Sequence, residues 1–223
     1  MKPPARGRES GMTLVELLVA MLIMGILTTM IIGSWVTLTR VYSSTSRSNR
    51  QRDFATQAIS RLAREVRDGQ KVAAGTSTAF VRAYPDEIRF YSTFNTADAD
   101  NPTTTPRLTR FILKETDGTT HVGAIYRELA GDDGLFDTND KNETSSLLVA
   151  NVVNLRTGDD LFTYYAIDPA TGSMYPSDGM TTLVPADRIQ TVGIFLQVDL
   201  NPGKSPNYMD IKTTVEPRNV RHM

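Results

Sequence analysis

The chain contains no cysteine and only two histidines, which removes much of the usual chemistry of catalytic and metal sites. Without cysteine there is no disulfide, no thiol nucleophile and no thiolate zinc site, so the folded part must be held together by burial and hydrogen bonding. The two histidines, His121 and His222, match no zinc-protease motif and no nucleophile–base pattern. We therefore expect a protein that is not an enzyme.

An overall excess of charge of one sign is also lacking. The 24 basic and 25 acidic residues leave a net charge of −1, and such a chain has no global positive field to attract nucleic acid. One segment nevertheless has a local excess of positive charge, because residues 40–67 contain seven arginines and only two acids, Asp53 and Glu65. This basic segment suits anionic lipid headgroups or acids of other proteins. The alternative is a solvated face, in which some of the arginines merely surround an apolar stripe: Arg61, Arg64 and Arg67.

One long apolar run lies near the N-terminus. From Leu17 to Thr39 no residue is charged, and about 23 helical residues at about 1.5 Å each span the roughly 30 Å of a hydrocarbon core. The run predicts a transmembrane helix, because the apolar stretch of a secretory signal peptide has only about 7 to 15 residues. Glu16, at the start of the run, costs on the order of 3 kcal/mol in a bilayer. We therefore expect Glu16 to have a function and a partner.

The apolar run is preceded by a glycine, Gly11, and then by Met12, with Glu16 four positions later. Together with Thr13–Val19, these residues resemble the prepilin signature of the type IV pilin family. The resemblance implies cleavage after Gly11 by a prepilin peptidase at the cytoplasmic face, followed by N-methylation of Met12. It also implies that Glu16 pairs with the free amine of Met12, on the same subunit or a neighbour, during assembly of a filament.

The same resemblance implies a structural role. We expect a minor pilin of a type IV pilus that primes assembly or lies at the tip. A minor pseudopilin of a type II secretion system shares every N-terminal feature, and a membrane-anchored binding module is a further alternative. Two segments, 63–69 and 211–219, resemble minor subunits related to the pseudopilin J type. The implied partners are the prepilin peptidase, other minor pilins, the major pilin, an inner-membrane assembly platform and a tip adhesin.

The charges on the two sides of the apolar run conflict in what they predict about orientation. Leader cations at Lys2, Arg6 and Arg8 favour a cytoplasmic N-terminus, but the arginines from Arg40 to Arg52 would also be held in the cytoplasm by the same rule. The resemblance decides for a cytoplasmic N-terminus and an exported C-terminal domain. We therefore expect the bacterial inner membrane first, and a pilus or a periplasmic pseudopilus afterwards.

Neither proline nor glycine interrupts residues 34–68, and apolar residues recur there at helical spacing. From about Phe80 the period becomes that of strands bounded by turn residues. We expect an α+β fold, in which a long N-terminal helix packs on a C-terminal antiparallel sheet. The expected helix stripe is Phe54, Ala58, Ile59, Leu62, Ala63 and Val66. The expected strands are Glu87–Phe94, Leu108–Lys114, Val122–Leu129, Leu161–Ile167, Ile189–Leu200 and Tyr208–Val215.

These patterns divide the chain into four parts. By the resemblance to pilins, we expect residues 1–11 to form a leader that is cleaved and residues 12–39 to form the transmembrane and assembly half of the helix. Residues 40–68 form its amphipathic half. Residues 69–223 form the exported, β-rich domain.

An acidic cluster that ends at Glu143 is the one metal-like feature of the sequence. Calcium seeks several hard oxygen ligands on a flexible loop, and the candidate ligands are Asp132, Asp133, Asp137, Asn139 and Asp140. The spacing departs from the EF-hand, because Lys141 occupies a position that should carry an oxygen ligand. A solvated acidic turn is the alternative, and the fold requires no cofactor.

Overall fold

The computed structural model describes residues 13–70, 79–94, 106–118, 120–131, 134–136, 143–167, 174–176, 189–200 and 207–218. It has the predicted α+β class, with a long helix followed by an antiparallel sheet. In chain order the elements are α1 (Leu14–Arg67), β1 (Phe80–Ala83), β2 (Glu87–Ser92), β3 (Arg107–Asp117), β4 (Val122–Leu129), β5 (Thr144–Val152), α2 (Asn154–Thr157), β6 (Phe162–Ile167), β7 (Met174–Pro176), β8 (Ile189–Asp199) and β9 (Tyr208–Val215). The chain forms two units, one up to Ser46 and one from Arg47 onward.

The first unit contains the N-terminal part of α1, whose apolar side chains are exposed. Trp35 is 70% exposed and Ile31 is 69% exposed. Within the described residues, α1 is the one helix long and apolar enough to cross a membrane. The helix continues through Gly33, whose carbonyl oxygen accepts a hydrogen bond of 2.9 Å from the Thr37 hydroxyl.

The second unit is built on one nine-stranded antiparallel sheet. Strands β1 to β5 follow one another in order, and β8 is the point where the remaining strands join. β9 pairs along one edge of β8, while β6 pairs along the opposite edge. β5 pairs with β8 on the same edge as β6 but further along the strand, where Val152 pairs with Val198. β8 therefore pairs with three strands: β9 on one edge, and β6 and β5 on the other.

A contact between β6 and the β1–β2 turn joins distant parts of the sheet. The Phe162 amide donates a hydrogen bond of 2.9 Å to the Pro85 carbonyl oxygen, and the Tyr164 hydroxyl donates one of 2.8 Å to the Tyr84 carbonyl oxygen. Burial raises the pKa of Tyr164 well above its ordinary value. The neutral hydroxyl is thus kept as a donor between β6 and the turn.

The C-terminal part of α1 packs on the inner face of this sheet. Its fully buried apolar residues belong to one core cluster with the strand residues Phe90, Phe111 and Phe162. Burying each Leu, Ile or Phe side chain contributes about 1.5–3 kcal/mol. The buried apolar positions of the helix are Ala55, Ala58, Ile59, Leu62 and Val66.

The predicted stripe was wrong at one end. Phe54 is 58% exposed, and Ala55 takes the buried position next to it. Large size and helical spacing favoured Phe54 in the sequence, but the face that meets the sheet is narrower than the apolar pattern. Ala63 is half-buried at the edge of the core.

A buried ion pair lies within this helix–sheet contact. Glu65 on α1 is 0% exposed, and Arg127 on β4 is 4% exposed. The Arg127 Nε donates to one Glu65 carboxylate oxygen at 2.6 Å, and the Arg61 Nε donates to the other at 3.0 Å. Arg127 also donates to the Phe94 carbonyl oxygen at 2.9 Å. Every oxygen of the buried carboxylate therefore has a charged donor.

The opposite face of the sheet carries a second ion-pair cluster. Glu128 on β4 accepts hydrogen bonds of 2.6 Å from both Arg110 and Lys114 of β3, and one of 3.3 Å from Ser145. Burial alone would raise the pKa of Glu128, but these two cations and their hydrogen bonds together lower it below the ordinary value. The Phe136 ring lies 4.3 Å from the Arg110 guanidinium, so the segment after β4 contacts the same face.

All six predicted strands are present, and four further elements were missed: β1, β5, α2 and β7. The first half of β5 is exposed and lacks alternation, so it gives no period of two. β2 ends at Ser92 and leaves Phe94 outside the strand. His121 lies in the turn before β4 with a positive φ of 53°.

We expect Glu65→Ala to lower the free energy of unfolding by about 3–5 kcal/mol, because it leaves the buried guanidinium of Arg127 without its carboxylate. Arg61→Ala removes the more exposed partner of Glu65 and should cost about 0.5 kcal/mol. Urea denaturation of the chain from Arg47 onward measures both values. Equal costs for the two variants would show that burial of the pair has no special weight.

We expect Glu128→Gln to destabilise the fold by about 1–3 kcal/mol at neutral pH. Because the folded-state pKa of Glu128 is lowered, its carboxylate stabilises the fold above the ordinary pKa near 4.5. That contribution disappears as the pH falls through the lower folded-state pKa. Urea denaturation from pH 7 to pH 3 should therefore show the two proteins converging at acid pH, and a constant difference would contradict this account.

Candidate processing and assembly site

The N-terminus of α1 is closed by reciprocal hydrogen bonds between Thr13 and Glu16. The Thr13 amide and hydroxyl donate to the Glu16 carboxylate oxygen Oε2 at 3.1 and 3.2 Å, and the Glu16 amide donates to the Thr13 hydroxyl oxygen at 3.3 Å. With Thr13 as N-cap and Glu16 three residues later, this is a capping box. It satisfies two of the amide groups that a helix start leaves without partners.

The capping box changes the account of Glu16 in part. The sequence predicts that Glu16 pairs with the amine of Met12, and the structure adds two donors from Thr13. These donors are neutral, and no cation forms an ion pair with Glu16 among the residues that the structure describes. The carboxylate charge therefore still lacks a counter-charge, although its hydrogen-bonding needs are partly met.

The capping box was readable from the sequence and was missed. Thr13 and Glu16 form the pattern Thr-x-x-Glu directly before an apolar run, which is a sequence signature of a helix N-terminus. One side chain thus serves a local structural purpose and remains available for a longer-range one.

Several predicted site residues lie outside the described part of the chain. These are Gly11 and Met12 at the expected cleavage position, and Asp132, Asp133, Asp137, Asn139 and Asp140 of the expected calcium cluster. In the described ranges, no group of three or more His, Asp or Glu residues is arranged to hold a metal ion. Calcium binding by the acidic segment stays a prediction.

A different acidic group lies where α2 meets β6. Asp159 and Asp160, which follow α2, line a cavity of about 330 Å³ together with Asp86 of the β1–β2 turn and with the side chains of Leu113, Leu155 and Leu161. Burial first, and then the charges of Asp159 and Asp86, raise the pKa of Asp160. Like-charge repulsion and burial account for this shift without a ligand or a catalytic base.

The described part of the first unit exposes a long apolar surface. Its exposed side chains are leucine, isoleucine, valine and methionine over many turns of α1. An uncovered apolar helix of this length is stable in a lipid bilayer or against other apolar helices. The acidic capping box stands at the start of this surface, next to the expected cleavage position.

Comparison with models of protein families matches residues 6–32 to the prokaryotic N-terminal methylation motif. The matched stretch contains the expected cleavage position, the capping box and the start of α1. No curated protein and no solved structure matches the chain. The match therefore bears on the N-terminal segment and says nothing of the sheet.

We expect Glu16→Ala to loosen the first turn of α1 by about 1 kcal/mol, because it removes the acceptor for the Thr13 amide. Glu16→Gln keeps a carbonyl acceptor at the same position and should preserve the capping box. Amide hydrogen exchange of the full chain in detergent micelles measures the difference at Thr13. Equal loosening in both variants would show that the carboxylate charge, rather than the hydrogen bond, holds the turn.

Proposed function

The chain carries the type IV pilin-like N-terminal methylation motif, and from this premise we propose that it is a minor pilin, a structural subunit that primes assembly of a type IV pilus or lies at its tip. The motif supports a pilin- or pseudopilin-type subunit in a membrane machinery. The single observation that carries the proposal is the joining of this motif to an exposed apolar helix that becomes, further along, the core helix of a sheet domain.

The helix has the properties that a filament subunit requires. In the first unit the helix exposes an apolar surface that must be covered by lipid before assembly and by other subunits afterwards. In the second unit the helix is buried on the sheet through one core cluster. The same element can thus be an anchor, an assembly surface and a structural part of the folded domain.

We propose that a prepilin peptidase removes residues 1–11 at the cytoplasmic face of the inner membrane and that the new amine of Met12 is methylated. The C-terminal domain is then exported and later enters the filament. The proposed partners are other minor pilins, the major pilin, an inner-membrane assembly platform and a tip adhesin. The processing would create a positively charged amine at Met12. Glu16 fits this proposal because its carboxylate has neutral donors but no cation among the described residues.

The proposed counter-charge of Glu16 is the amine of Met12 on this subunit or a neighbour. A charge-assisted hydrogen bond in a medium of low dielectric is strong only at close range. It therefore favours one axial position of a subunit relative to the next. Loss of the charge should affect assembly and leave insertion and cleavage intact, because both come earlier.

The alternative of a type II secretion pseudopilin shares all of these features, and the genes beside the coding sequence would favour one system or the other. A membrane-anchored binding module would use α1 only as an anchor. It would need neither cleavage after Gly11 nor a charge at Glu16, and the following experiment separates it from a filament subunit.

We expect Glu16→Gln to reduce co-purification of the mature subunit with other pilins by about tenfold, because a lost charge-assisted contact of about 1.4 kcal/mol lowers association by that factor. The variant keeps the hydrogen-bonding shape of the capping box, so a loss of assembly reports on the charge. Normal incorporation of Glu16→Gln would remove the proposed pairing with the amine of Met12.

A second variant, Gly11→Leu, tests the cleavage step separately. It alters the expected cleavage position and leaves the sequence of α1 unchanged. A bulky side chain should block maturation, since the peptidase requires an open backbone at the cut. Mass spectrometry of the N-terminus should then find the intact leader. Normal Met12 ends in this variant, or no cleavage of the wild-type chain, would contradict a pilin-type subunit and favour the plain anchor.

A further inference from the structure

A groove of about 700 Å³ runs along the exposed side of α1. It is lined by Thr56, Gln57, Ser60, Arg61 and Arg64 of the helix and by Phe94, which follows β2. The groove lies entirely within the second unit. It combines neutral hydrogen-bonding side chains, two guanidinium groups and one aromatic wall.

The positive charge at this groove is not balanced within the described residues. Glu65 is the carboxylate that contacts Arg61, but Arg127 uses the same carboxylate from the other side. Two guanidinium groups therefore share one negative charge. Arg64 forms no ion pair in the described part of the chain, and its contact is with the Phe94 ring, 6.0 Å from the guanidinium carbon.

Other arginines extend the positive charge along the same side of the helix. Arg50 and Arg67 are exposed, and their spacing from Gln57 and Arg64 follows the repeat of three and four that places residues on one helical face. Two acids share this face, Asp53 and Asp68, and the Asp68 carboxylate already accepts hydrogen bonds from the Ser92 and Thr93 hydroxyls. The surface is therefore a stripe of positive charge with the groove at its C-terminal end.

We propose that this groove binds an acidic segment of a neighbouring filament subunit, a step that rests on the proposed function. A carboxylate side chain placed between Arg61 and Arg64 would supply the missing negative charge, and a guanidinium group binds a carboxylate with two parallel hydrogen bonds. Gln57 and Ser60 provide hydrogen-bonding groups for the backbone of the bound segment. Phe94 provides an apolar wall for its neighbouring side chain.

Lipid headgroups are the competing anions for a basic helix. They suit Arg40 and Arg47, which follow the apolar run most closely in sequence, better than a groove at Thr56 to Arg64. An aromatic wall and three neutral polar side chains also favour a shaped peptide segment over a mobile headgroup. We therefore commit to a protein partner and treat phospholipid as an outcome of the test.

The test places the photoreactive residue p-benzoylphenylalanine at position 57 of the full chain, in cells that assemble the filament. A second probe at position 27, in the apolar part of α1, reports incorporation independently of the groove. The expected product at position 57 is a cross-link to a protein with a prepilin-type N-terminus, through a peptide that contains Asp or Glu. Mass spectrometry identifies the partner and the peptide.

Arg64→Glu should reduce the cross-link from position 57 by about tenfold, because the new carboxylate would repel the carboxylate of the bound acidic segment. Arg52→Glu is the matched control, since Arg52 is exposed on the same helix and does not line the groove. It should leave the yield within about twofold. Changing the acidic residue of the partner's cross-linked peptide to Arg should restore the link to the Arg64→Glu subunit.

The two probes separate the two proposals. Cross-links to pilins from position 27 but not from position 57, or links at 57 that Arg64→Glu leaves unchanged, would overturn the groove and retain the filament subunit. A phospholipid adduct at position 57 would also overturn the groove. Absence of a pilin-type partner at both positions would overturn the proposed function and this inference together.

Discussion

The fold depends on the way α1 is fixed to the sheet, and the buried carboxylate of Glu65 is the specific part of that contact. Apolar packing of a helix on a sheet tolerates small shifts along the helix axis, since a different apolar side chain can then fill the same space. The short hydrogen bond from Arg127 to Glu65 does not tolerate such a shift, because a displacement of one residue would leave a buried charge without its partner. The ion pair thus selects one register for a helix whose apolar surface permits several.

The same carboxylate links the interior of the domain with its surface. Arg127 reaches Glu65 from the sheet and Arg61 reaches it from the exposed side of α1. A change at the exposed side can therefore affect the helix–sheet contact through one shared group. In the first unit Glu16 also combines two features, since it caps the helix and carries a charge that no cation of the described residues pairs with.

The sequence predicted the class of the fold, because the two periods of its apolar residues were clear and long. It predicted six strands where one face alternates, as in β8, whose residues Ile194, Leu196 and Val198 are all buried. It failed where burial does not alternate, as in the first half of β5, and where a three-dimensional partner decides, as for Phe54. The pairing of Glu65 with Arg127 joins residues 62 positions apart, and no local pattern indicates it. The Thr13–Glu16 capping box was local and could have been predicted.

The position of β8 late in the chain has a consequence for the order in which the molecule folds. β5, β6 and β9 all attach to β8, so the sheet cannot be completed until residues up to Val215 are present. Long-range pairing of this kind is slow, because the intervening chain must first be closed into a loop. If the chain is anchored at its N-terminus and its C-terminal domain is exported, as we propose, the apolar side of α1 in the second unit would emerge uncovered. The nascent domain would then need protection from aggregation until nearly all of it had crossed.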